Sequence, residues 1–156
     1  MSEPRAETQL AGFIAKYPPE IAALAQAALT KMRARLPGAI ELVYDNYNAL
    51  AIAFGPTERV SDVVFSITLY PRWVSLFFRR GTTLPDPQQL LKGSGSTIRH
   101  IVLDDARTLD RPAVRRLMAE ALAQADAALD QPDRHRLIIK SVSSKQRPRR
   151  PRVSTS

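Results

Sequence analysis

Residues 62–80, DVVFSITLYPRWVSLFFRR, decide the fold. In the first half Val63, Phe65, Ile67 and Leu69 alternate with Val64, Ser66, Thr68 and Tyr70, the period of two that lays one row of side chains against a core. In the second half Val74, Leu76 and Phe78 alternate with Trp73, Ser75 and Phe77, so both faces carry apolar groups and an aromatic lies outside the core row. Pro71 has no amide hydrogen to give a ladder. It therefore belongs in the join, and Tyr70-Pro71-Arg72 reads as the turn of an antiparallel hairpin. One long strand with a bulge at Pro71 is the alternative.

Two further strands precede this hairpin. Ile40, Leu42 and Tyr44 alternate with Glu41, Val43 and Asp45; after a turn at Asn46-Tyr47, residues 48–54 set Leu50, Ile52 and Phe54 against Ala49, Ala51 and Ala53. The small alanine row predicts a helix lying close to the sheet. Residues 97–103 read as a short strand, beyond a turn-rich connector in which Asp86-Pro87 can cap one helical turn through Leu91.

Helices flank these strands. Leu10, Phe13, Ile14 and Tyr17 fall at helical spacing over residues 7–16, a segment ended by Pro18-Pro19. Over residues 19–36, Ile21, Leu24, Ala25, Ala28, Leu29 and Met32 form a continuous apolar stripe stopped by Pro37-Gly38, and Lys31, Arg33 and Arg35 suit the negative end of the helix dipole. A last stripe runs from Val114 through Leu117, Met118, Ala121, Leu122 and Ala125 to Leu129, with Asp110 as the expected cap. Helix, helix, strands with short turns, then helix is the order of an α+β fold: one antiparallel sheet of about five strands with helices mainly on one face. A parallel doubly wound sheet needs helical crossovers, and residues 39–80 leave no room for them.

Charge separates body from tail. Of 23 basic and 15 acidic residues, eight and two fall in residues 130–156, leaving the first 129 nearly neutral with 15 and 13. A body of residues 1–130 and a tail of residues 131–156 are expected, the body folding without the residues beyond Leu129. Residues 137–139, Leu-Ile-Ile, could add a short edge strand, but residues 141–156 lack apolar period and are expected to be disordered. Within them Lys145, Arg147, Arg149, Arg150 and Arg152 form a cationic run spaced by Pro148 and Pro151. Five phosphate contacts on duplex DNA would give a log–log salt slope near about −4.5. Aromatic residues for base stacking are missing from the neighbouring sequence.

With no cysteine, disulfides, thiolate nucleophiles and Cys-ligated metals are excluded. No apolar run approaches a membrane span, and the start MSEPRAETQLAG lacks the order of a signal peptide, so a soluble cytoplasmic protein without membrane attachment is expected. No Ser-His-Asp order, HExxH motif or dinucleotide fingerprint is present. His100 has Asp104 alone in phase on its strand, which favours a structural histidine. Neither a catalytic residue, a cofactor nor a metal site is expected.

The runs Tyr44-Asp45-Asn46-Tyr47-Asn48-Ala49-Leu50 and Phe65-Ser66-Ile67-Thr68-Leu69-Tyr70-Pro71-Arg72-Trp73, the loop Leu91-Lys92-Gly93-Ser94-Gly95-Ser96 and the helix start Leu109-Asp110-Arg111-Pro112 together resemble the YdhG-like family of small bacterial domains. The resemblance spans residues 10–129. It implies an α+β domain with no agreed enzymatic activity, and a frataxin-like iron-chaperone role is associated with the wider family.

Three clusters are candidate binding groups. Tyr44, Asp45, Tyr47 and Asn48 at one strand end, with Tyr70, Arg72 and Trp73 at the neighbouring turn, gather hydrogen-bonding groups and aromatic surface that could line a pocket. Asx-turn chemistry and core shielding explain the same residues equally well. Lys92, Ser94 and Ser96 belong to a glycine-rich loop that could cradle an anion, although it lacks the spacing of a P-loop. A non-enzymatic module binding a small molecule or a protein is the first expectation. Iron chaperoning is the second, set back by a first helix with only Glu3 and Glu7 at its start and no carboxylate ridge. Nucleic-acid association through the tail is the third.

Overall fold

The alternation in the central stretch is realised as a hairpin in the computed structural model, which describes residues 3–125 and 127–151. In chain order the elements are α1 (Glu3–Ala15), α2 (Pro19–Arg35), β1 (Ile40–Asp45), β2 (Leu50–Gly55), β3 (Phe65–Leu69), β4 (Val74–Phe78), β5 (Arg99–Val102), α3 (Pro112–Ala123) and β6 (Arg136–Val142). The strands form one sheet in the order β5-β4-β3-β2-β1-β6. Leu69 pairs with Val74 and Leu50 with Asp45, so four-residue turns at 46–49 and 70–73 lie side by side at one end of the sheet, with Pro71 inside a turn.

One row of every strand builds the core. Val43, Leu50, Ile52, Phe54, Phe65, Ile67, Leu69, Val74, Leu76 and Phe78 join the stripe residues of α1, α2 and α3 in one cluster. Phe65 and Phe78 meet edge to face at 5.6 Å. Tyr17 is buried where α1 ends; its hydroxyl donates to the Leu69 carbonyl at 3.2 Å, and burial pushes its phenol up to about 12. On the same side, β1 buries Glu41 under α2, where Arg33 Nε and Nη2 grip the carboxylate at 2.9 and 2.8 Å. Burial pushes that carboxyl up, against the pull of Arg33.

Four expectations are corrected. The sheet is mixed: β6 is a sixth strand that runs parallel to β1, Leu42 pairing with Ile138. The Leu-Ile-Ile run is thus a seven-residue edge strand that buries Leu137, and order continues through residue 151. The disorder expected of residues 141–156 therefore fails for 141–151, and residues 152–156 lie outside the described residues. The alanine row does not sit beneath a helix, because Leu50, Ile52 and Phe54 take the helix-facing side and leave Ala51 and Ala53 on the other. Finally, α3 stops at Ala123 instead of reaching Leu129, and Asp110 does not cap it. Asp110 instead takes Lys31 at 2.7 Å and the guanidinium of Arg35, while Arg111 holds the cap position without capping the helix through its side chain.

The early end of α3 lets the chain turn back to the β1 edge. The Gly38 amide donates to the Leu129 carbonyl at 2.9 Å, and a Cβ on Gly38 would fall 2.4 Å from the carbonyl oxygen of Gln131. Only glycine admits that approach.

Candidate functional site

The face of the sheet turned away from the helices carries Tyr44 on β1, Ala51 and Ala53 on β2, Ser66 and Thr68 on β3 and Phe77 on β4, the residues out of phase with the core. Small side chains run down the middle. Tyr44 flanks them on one side and Phe77, against the His100 ring at 5.1 Å, on the other. The result is a groove of about 230 Å³ lined by Tyr44, Ala51, Ser66, Thr68, Tyr70 and Arg79 among others. The Ser66 and Thr68 hydroxyls lie 2.9 Å apart on its floor. Burial pushes the phenols of Tyr44 and Tyr70 up.

A second, larger groove continues from it over the two adjacent turns. It shares Ala51, Thr68 and Tyr70 with the first and adds Tyr47, Trp73 and Arg147. Tyr70 and Trp73 stack with centroids 4.8 Å apart and planes 24° from parallel, a pair locked by the turn in which the Tyr70 amide donates to the Trp73 carbonyl. Arg147 reaches this site because its amide donates to the Tyr47 carbonyl at 2.8 Å, which places its guanidinium 5.6 Å from the Tyr47 ring centre. Each groove is lined by one charged side chain, Arg79 or Arg147, and neither is lined by a carboxylate.

Tyr44, Tyr47, Asn48, Tyr70 and Trp73 are therefore brought together on one surface. Asp45 is not. The pleat turns it to the helix side, where it is fully buried against Arg149 at 2.9 Å and Lys16 at 3.4 Å. Arg72 is exposed at the tip of its turn, outside both linings. Lys92, Ser94 and Ser96 belong to a loop beyond the outer strand β5 and also stay out. Lys92 pairs with His100, Gly93 holds φ +130°, and the loop turns carbonyls to its neighbours: Gly95 accepts from Arg99 and Ser96 from Thr82. In the cationic run, Arg149 is spent on Asp45 and Arg150 on the Lys16 and Ala15 carbonyls that end α1. Lys145 and Arg147 are exposed, and Arg152 lies outside the described residues.

Ala51, Phe77 and Arg79 belong to no motif in the sequence, and Ser66 and Thr68 belong only to the run that carries the family resemblance, although the strand alternation itself marks every one as off the core row. Among the described residues, no group of three or more His, Asp or Glu side chains is placed to hold a metal ion, and no helix is long and apolar enough to cross a membrane. No family model, no curated protein and no solved structure matches the chain.

Trp73 is 44% exposed. Trp73→Ala is accordingly expected to cost well under the roughly 3–5 kcal/mol of a buried aromatic. Denaturant unfolding measures this, and a full-sized loss would return the indole to the core.

Proposed function

We propose that this chain is a YdhG-like binding domain without catalytic machinery, and that its ligand site is the helix-free face of the sheet. One observation carries the proposal: two joined grooves walled by aromatic rings, floored by alanines and hydroxyls, each with one arginine and no carboxylate in its lining. Rings offer flat apolar contact, the hydroxyls orient polar edges, and an unopposed guanidinium selects negative charge. The ligand class is a planar organic anion. The buried carboxylates Glu41 and Asp45 are held by Arg33 and Arg149 on the other side of the sheet.

Titration of the protein with aromatic carboxylates and mononucleotides, followed by amide chemical shifts, should move the signals of Ala51, Thr68 and Tyr70. Arg79→Ala removes a charge-assisted contact and should weaken binding by about tenfold or more. Ala51→Trp, which fills the shared floor, should abolish it. Shifts confined to other surfaces, or binding indifferent to both substitutions, would overturn the proposal.

A further inference from the structure

We infer that the occupant of this face is single-stranded nucleic acid, an inference that rests on the binding-site proposal above and gives its ligand a polymeric form. The spacing of the cations is the first reason. Arg147 sits beside the turns, whereas Arg79 lies past the far end of β4; the five-residue advance from Val74 to Arg79 covers about 17 Å at strand rise. The grooves between them are continuous through Ala51, Thr68 and Tyr70. A mononucleotide has one phosphate group and cannot meet both guanidinium groups, but a strand with successive phosphates can.

The rings are the second reason. Tyr47, Trp73, Tyr70, Tyr44 and Phe77 are distributed over the same surface, with Trp73 and Tyr47 about half exposed. Sheet faces that read single strands stack about two or three splayed bases on such side chains, and stacking tolerates any base. A duplex keeps its base faces to itself and has nothing to offer these rings. The fold also supplies what the sequence around the basic run lacks: residues 143–151 are laid against the 46–49 turn, so Arg147 acquires Tyr47, Tyr70 and Trp73 as neighbours of one groove.

Trp73, the sole tryptophan of the chain, provides the readout. Hexauridylate and hexathymidylate, titrated into the full-length protein, should quench its fluorescence saturably. With two or three phosphate contacts the log–log salt slope on a single strand should be about −1.4 to −2.1. Measured instead by anisotropy of a labelled hexamer, affinity should fall about tenfold in Trp73→Ala and in Arg79→Ala. The fold of both variants is checked by their melting curves, since both positions are at least partly exposed. Whichever of the two hexamers binds more tightly names RNA or DNA as the source. Uridine monophosphate quenching Trp73 as tightly as the hexamer would overturn the polymeric ligand while leaving the groove as a small-anion site. Duplex DNA binding as tightly as the hexamers would overturn it in favour of purely electrostatic attraction to the C-terminal cations. Absence of quenching by hexamer and monophosphate alike would remove both.

Discussion

Ending the chain after Leu129 is expected to leave a protein that no longer melts cooperatively. The first cost is β6 itself: β1 loses its parallel partner along its whole length, and the buried Leu137, with Ile139 packed beside it, leaves the core. Burial of one such aliphatic side chain stabilises by about 1.5–3 kcal/mol. The second cost is larger. Asp45 is fully buried and would keep only Lys16, 3.4 Å away, once Arg149 is gone. Stranding a buried charge in this way costs about 3–5 kcal/mol. A domain of this size has about 5–15 kcal/mol in total, so the two losses together consume most of it. The bared β1 edge, with Leu42 and Val43 in its middle, adds an aggregation hazard. Circular dichroism melting and dye binding would check this: a sharp transition close to that of the full chain would show that residues 1–129 suffice.

That outcome reverses what the sequence suggests, and the reason is physical. Local periodicity marks where a strand or helix forms, and it located β1 to β5, both early helices and the 70–73 turn. It carries no information on which edge a distant strand will join. Residues 137–139 are apolar enough for a strand, yet their direction depends on the route of the chain after α3, which in turn requires the close approach of Gly38 to Gln131. Composition misleads in a second way. Residues 141–151 are poor in apolar groups, but they order by hydrogen bonds to main chain already fixed in the 46–49 turn and at the end of α1: Ser143 and Gln146 donate to the Asp45 carbonyl, Arg147 to Tyr47 and Arg150 to Lys16. Such partners have no sequence signature. The candidate site divides along the same line. Aromatic turn residues were visible because turns gather them locally, whereas Arg79 and Arg147, about 70 residues apart, become parts of one surface only through the sheet and the returning C-terminal segment.

The basic run also changes meaning once folded. Five cations on an extended, free segment would present five charges to a polyanion. Arg149 is withdrawn into the protein, and Arg150 is turned onto carbonyls of α1. Their chemistry is structural: a guanidinium donates in several directions at once, which suits a junction where a strand end, a turn and a helix end all present acceptors. Lysine at position 149 could not serve the same three groups in the same plane.

Arg149→Ala is the point test of that junction and should destabilise by about 3–5 kcal/mol, the range for removing one partner of a buried pair. Arg149 is 5% exposed; its Nη2 donates to Asp45 Oδ1 at 2.9 Å and to the Asn46 carbonyl, its Nη1 to the Tyr47 carbonyl at 3.3 Å, and its guanidinium lies 5.5 Å from the Tyr17 ring centre. Alanine removes all of these and leaves the Asp45 carboxylate without its closest counter-charge. Arg149→Lys should recover only part of the loss, because one ammonium cannot reach the carboxylate and both carbonyls. Two further variants separate charge from packing. Asp45→Leu alone strands the arginine and should be as harmful as Arg149→Ala. Asp45→Leu combined with Arg149→Met replaces both ions by apolar groups of similar size; since Arg149 Nε is already buried without a partner, the native pair is imperfectly satisfied, and the double variant should be more stable than either single one. Chemical denaturation of the unsubstituted protein, Asp45→Leu, Arg149→Met and the double variant gives the coupling directly. Additive losses, with no coupling between positions 45 and 149, would show that the two side chains contribute independently and that the C-terminal segment is held by its main-chain bonds alone.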